Sequence, residues 1–294
     1  MGTYEKFAEA IVSATLASDA AWTKPWKVGQ AFGLPRNALT GRDYRGCNIL
    51  LLLSRHFASR EWLTYKQAAE MGGHVRKGQK GTPIFFFSMI EKKNKEDNQD
   101  EDDRDDGIPF LRCFTVFNVE QIDGLDKTKL AGAENAETIA MTEEEAEAKI
   151  FADCEKMMNL STWSEDSTQA YYNPSSDEIH LPRRRDFVSL SEFWGTALHE
   201  LAHWTGHASR LNRAKGMASR MGTDGYAREE LVAESASWLL AATLGTPHEP
   251  KNSAAYLSSW VKKFADKPRE LYSAIAQAQK AVDFLLEKSG LKIG

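Results

Sequence analysis

The chain has 294 residues, 42% apolar and 10% aromatic, enough for one large or two ordinary packed domains, which excludes wholesale disorder. Its three cysteines exclude a disulfide scaffold and fit a reducing compartment, so the expected location is cytoplasmic. No apolar run of ~18 residues and no basic-then-apolar leader occurs, which argues against a membrane span or Sec-type export; a formal charge of −5, taken whole, argues mildly against nucleic acid.

Residues 4–16 read as an amphipathic helix, with Tyr4, Phe7, Ala8, Ile11, Val12 and Leu16 at three- and four-residue steps. Pro and Gly break residues 22–35 into loop or short strand. Residues 47–57 predict a helix, and residues 62–71 a second short one ended by Gly72 and Gly73. The β-rich runs 82–90 and 108–119 predict a hairpin. Its long tip, 91–107, is nearly free of apolar residues and is expected to be disordered or very mobile. A Gly/Ala/Glu-rich linker follows over 126–141. Thr142 and Glu145 form a capping box that opens a helix to about residue 158. A short β-like segment spans 170–181. Residues 191–207, 227–244 and 253–266 are strongly helical, and Pro268 opens a last helix carrying Leu271, Ile275, Val282 and Leu285. The fold class is α+β: a mixed α/β module over 1–125, then a mainly helical domain over 142–294. Charge is unevenly spread, with +6 over 1–90, −5 over 91–107 and −6 over 108–294.

His199-Glu200-Leu201-Ala202-His203 is an HExxH motif inside a predicted helix. Residues i and i+4 share a helix face, so both imidazoles can reach one metal, while Glu200 is placed to take a proton from water as general base. The motif favours Zn²⁺; Mn²⁺ or another divalent ion is the alternative. A metzincin-type third His would stand at 209, which is Ser; His207 is placed either to line the site or to end the helix. The remaining source of a third ligand is the helix Tyr226–Glu234. Glu230 and Glu234 share a face, so one can bind metal while the other orients a histidine. Glu229 points about 100° away and is the alternative ligand if the helix starts later. The geometry leans to Glu230. Tyr226 is a candidate oxyanion donor, and a strand with Tyr171, Tyr172 and Ile179 could hold an extended peptide; core packing is the competing reading for each.

The first 90 residues interleave aromatics with cations: Trp22, Trp26, Arg36, Arg42, Tyr44, Arg45, Trp62, Tyr65, Arg76, Lys77 and Lys80. Rings that stack on unpaired bases and cations that meet phosphates suit a single strand. The competing reading makes the tryptophans core and the cations a solvated face. No phosphate-loop motif and no CxxC pair occurs, which leaves a nucleotide motor and a zinc ribbon unsupported.

Both ends resemble one family. Pro25-Trp26, Pro35-Arg36-Asn37, Thr40-Gly41, Tyr44-Arg45-Gly46-x-Asn48, Trp62-x-Thr64-x-x-Gln67-Ala68, the run 75–81 and Phe117-Asn118-Val119-x-Gln121 resemble the amino-terminal domain of ArdC-type antirestriction proteins, which is shared with TraC-type plasmid primases. Tyr172-x-Pro174-x-x-Asp177-x-Ile179, the HExxH run to His207, Arg210-Leu211 and Glu229-Glu230-Leu231-Val232-Ala233-Glu234 resemble that family's zincin-like metallopeptidase domain. The resemblance implies a plasmid-borne protein that protects incoming conjugated DNA from host restriction. It implies a first domain that binds single-stranded DNA through Trp26, Arg36, Asn37, Arg42, Tyr44, Arg45, Asn48, Trp62, Arg76, Lys77 and Lys80. It leaves open whether the second domain cleaves a protein substrate. The alternative is a zinc metallopeptidase recruited to DNA to cleave proteins bound there. A DNA mimic is disfavoured, because 17 residues of net −5 cannot imitate a duplex with one charge per about 1.7 Å.

Overall fold

The computed structural model describes residues 2–19, 33–90, 108–131, 142–213, 222–246 and 250–291. The acidic tip 91–107, the 132–141 part of the linker, and Trp22 and Trp26 lie outside the described residues.

The amino-terminal module is built on strands β1 (Arg36–Asn37), β2 (Glu61–Thr64), β4 (Thr82–Ile90) and β5 (Ile108–Asn118), in the order β1-β2-β5-β4. A two-stranded pair, β3 (His74–Val75) with β6 (Ile122–Asp123), flanks them. β4 and β5 form the expected hairpin, in register from Thr82↔Val116 to Ile90↔Ile108. Alternation sends Phe85 and Leu111 into the core and leaves Phe86, Phe110 and Phe114 on the opposite, exposed face.

Residues 62–71 do not form one helix. Residues 62–64 belong to β2, and α3 (Tyr65–Glu70) starts only after Thr64. Thr64 caps α3 in a reciprocal box with Gln67, and a cap residue must be extended. That geometry hands Trp62 and Leu63 to the sheet, where both are buried. α2 (Cys47–Leu53) is also shorter than the expected 47–57. Ser54 ends it, and His56 takes a left-handed φ of 54° that a helix cannot continue through.

Among the described residues β4 is an edge strand, and an open edge invites pairing with other chains. Asn48 of α2 closes part of it. Its Nδ2 donates to the Phe85 carbonyl at 2.9 Å, and the Phe85 N–H donates to its Oδ1 at 2.8 Å. The side chain thus plays the part of a neighbouring strand.

The helical half comprises α4 (Glu143–Met158), α5 (Leu190–Trp204), α6 (Asp224–Leu244), α7 (Pro250–Lys263) and α8 (Pro268–Ser289). A small sheet, β7 (Thr162–Ser164), β9 (Glu178–His180) and β8 (Tyr171–Asn173), has β8 at one edge. Helix α1 (Thr3–Asp19) packs on α7 and α8 as well as on α2. One apolar core therefore runs from Phe7 and Phe85 through to Leu198, Leu239 and Ala278. Phe7 meets both Phe85 and Tyr272 edge-on. Polar ties reinforce the join: the Gly46 N–H donates to Gln279 Oε1 at 2.6 Å, and Arg45 pairs with Asp283. Among the described residues no helix is long and apolar enough to cross a membrane.

Asn48→Ala should leave a buried N–H and a buried carbonyl without partners. The expected loss is about 2–4 kcal/mol of unfolding free energy, read from urea denaturation.

Candidate metal centre

Ser189 caps α5 by accepting the Glu192 N–H. Leu198, Leu201 and Ala202 anchor one side of this helix in the core. The opposite side presents His199, Glu200 and His203 to a cleft of about 380 Å³, walled by Tyr171, Tyr172, Pro174 and Tyr226. The two imidazole rings lie 4.9 Å apart.

Thr223 caps α6, which sets the helical phase of its acids. That phase separates Glu229 from Glu230. Glu230 faces both histidines through their Nε2 atoms, 3.6 Å from His199 and 3.6 Å from His203. Glu234, one turn on, reaches His199 Nδ1 at 3.1 Å. Glu229 reaches His203 Nδ1 at 3.4 Å. Each ring thus has a carboxylate behind it and turns its Nε2 toward Glu230. A carboxylate at Nδ1 selects the Nδ1–H tautomer and leaves the Nε2 lone pair for a ligand. His199, His203 and Glu230 offer three ligand atoms within 4.8 Å of one another. This N₂O donor set, with both rings held from behind, fits a divalent ion.

Glu229 and Glu234 are 5% and 8% exposed, so their charges need partners. Arg213 supplies one for Glu229. It holds that carboxylate at 3.0 and 3.1 Å, and also donates to the Ala202 carbonyl and Thr205 Oγ1. Burial works to raise the Glu229 carboxyl, but hydrogen bonds from His203 and Arg213 outweigh it and hold it below the usual carboxylate range. Glu230 behaves alike: burial raises it, while His199, His203 and the Tyr226 hydroxyl lower it further. Burial pushes Tyr226 up to about 12, helped by the Glu230 charge, so it stays a neutral donor. Burial opposes charge on His199, yet Glu230 and Glu234 draw its value well above the ordinary one.

Nothing local in the sequence marks Arg213, which is one arginine in a loop. His207 ends the motif's run by accepting the Ser209 N–H and does not join the cluster. Arg210, stacked on Trp204, pairs with Asp177, which also accepts the Tyr172 hydroxyl; this clamp holds one wall of the cleft.

The residues expected to meet DNA are dispersed. Trp26 lies outside the described residues. Tyr44, Asn48 and Trp62 are buried, so their chemistry is spent on the core in this arrangement. Arg36 pairs with Glu61 at 2.6 Å. Asn37 builds a turn, accepting the Leu39 and Thr40 N–H groups and donating to Gln67. Arg42, Arg45, Arg76, Lys77 and Lys80 are exposed, though Arg76 pairs with Asp123 at 3.1 Å.

Comparison with known proteins reaches both halves. Residues 1–117 match the family described as the N-terminal domain of anti-restriction factor ArdC, and residues 145–277 match the zincin-like metallopeptidase family. The DNA primase TraC of Escherichia coli is 39% identical over 296 residues, 96% of this chain and 27% of that protein. The chain thus spans about a quarter of the length of that curated relative. The metal-free crystal structure of the antirestriction ArdC protein from plasmid R388 superposes with a TM-score of 0.70 at 34% identity, covering 99% of this chain and 98% of that one. Its Mn(II)-bound structure gives 0.68 at 34%, covering 98% of each.

Two measurements follow from this geometry. Arg213→Ala should leave Glu229 buried without a counter-charge and weaken divalent-metal affinity about 10–100-fold, read by competition with a chromogenic chelator. A metal must displace the proton that His199 holds, so uptake near pH 7 should release protons to a pH indicator. Affinity should rise with pH until the raised value of His199 is passed.

Proposed function

The chain belongs to the ArdC family of antirestriction proteins, and from that premise we propose that it binds single-stranded DNA and protects incoming conjugative plasmid DNA from restriction in the recipient's cytoplasm. In this reading His199, His203 and Glu230 hold a divalent ion, Zn²⁺ or Mn²⁺, while Glu229 and Glu234 orient the two rings. The observation that carries the metal assignment is the convergence of both Nε2 atoms on Glu230, with a carboxylate behind each ring. The manganese in the R388 relative supports a divalent ion and leaves the choice between Zn²⁺ and Mn²⁺ to the donor set, which suits both.

The bound ion would act as a Lewis acid toward a carbonyl and lower the pKa of water. The chain's own residues supply the rest. Glu200, buried beside His199, takes the proton from water and returns it to a leaving amine. Tyr226, neutral across the working pH range, donates its O–H toward charge developing on a carbonyl oxygen. Edge strand β8 borders the cleft and suits an extended peptide. This complete hydrolytic set favours a second reading, a metallopeptidase that DNA recruits to bound proteins.

Glu200→Ala separates the two. Metal and oligonucleotide binding should be unchanged, because both histidines and Glu230 remain, while any peptide hydrolysis should fall about 10²–10⁴-fold. Plasmid transfer into a restricting recipient is the decisive measurement. Retained protection assigns the function to DNA binding; lost protection, with both binding activities intact, assigns it to hydrolysis.

A further inference from the structure

One face of the outer β4–β5 hairpin leaves three large rings uncovered. Phe86, Phe110 and Phe114 are 45%, 44% and 44% exposed. They share one face, by the register Phe86↔Arg112, Ile84↔Phe114 and Ser88↔Phe110. Phe86 and Phe114 meet at 5.8 Å between ring centres. Toward the module's interior the same face is closed by Ile84, Val116 and Trp62. The rings therefore form a shelf that ends at a core wall.

Arg112 projects from the middle of this shelf, exposed, its guanidinium 5.8 Å from the Phe110 ring centre. It is the only charged residue in either strand. Contiguous exposed apolar area marks a binding surface. A ring shelf with a cation set into it and no acid in either strand matches an anionic chain of aromatic units. Rings stack on base faces whatever the base, and the cation meets a phosphate. The motif aromatics Tyr44 and Trp62 cannot serve this purpose while buried.

We propose that Phe86, Phe110, Phe114 and Arg112 form the platform on which unpaired bases of a single strand stack. This rests on the single-stranded-DNA reading above and assigns that reading its contact surface.

The test uses the full chain, a fluorescent oligothymidylate and an abasic strand of equal length. Phe86→Ala with Phe114→Ala should weaken oligothymidylate binding about tenfold or more per ring, with abasic binding unchanged. Phe86→Leu with Phe114→Leu, which keeps apolar bulk but no π-face, should lose binding similarly. Arg112→Ala should reduce the salt slope of log affinity by about 0.7. If the wild-type chain binds oligothymidylate and the Phe variants bind it equally well, the platform is wrong and the DNA reading stands. If the wild-type chain binds no strand at low salt, the DNA reading itself fails. Equal losses on both strands would show that the rings act without stacking and overturn the proposal. So would loss of self-association in sedimentation with DNA binding unchanged, which would make the shelf an interface between copies.

Discussion

Two imidazoles can offer the same kind of nitrogen to one point only if something fixes the other nitrogen of each ring. Here Glu234 stands behind His199 and Glu229 behind His203. The requirement is demanding, because it gathers buried carboxylates around one helix. A buried carboxylate needs polar partners in place of water. The rings answer for Glu230 and Glu234, and Arg213 answers for Glu229. The loop after α5 is therefore part of the centre's electrostatics, and Arg213 also ties that loop to the end of the motif helix.

The same constraint shapes α6. It must bring three acids against α5 at fixed phase, so it lies close, with Ala233, Ala236 and Ser237 buried and the Ser237 hydroxyl donating to the Gly195 carbonyl at 3.2 Å. A helix so enclosed needs further layers. α8 packs on it, and through Tyr272, Gln279 and Asp283 reaches α1, α2 and the β4–β5 hairpin. The metal cluster and the amino-terminal sheet are joined through one core. That join takes Tyr4 and Phe7 for packing.

Much of this was readable from local spacing. The helices with strong apolar periodicity appeared where expected, as did the 82–90 and 108–118 hairpin. The strand-to-helix boundary inside 62–71 does carry a local signal, since Thr64-x-x-Gln67 is a capping box that starts the helix at 65. The choice between Glu229 and Glu230 had none. They are one residue apart, and which faces the histidines depends on where α6 begins and how it lies against α5. Arg213 was invisible for the same reason, as its partner is 16 residues away. The hairpin's aromatics were ambiguous because both faces of β4 are apolar, and periodicity cannot tell a covered face from a bare one.

The sequence by itself determined the HExxH pair on one helix face, the motifs that assign the chain to its family, the basic first third and the hairpin. These are local properties, written within a few residues of backbone period. Only the tertiary structure decided which acid faces both rings, which arginine compensates its neighbour, and which aromatics are core and which are surface. Those outcomes depend on what packs over each face. The covering residues lie in distant segments, so the information exists in the chain but becomes physical only when the segments meet.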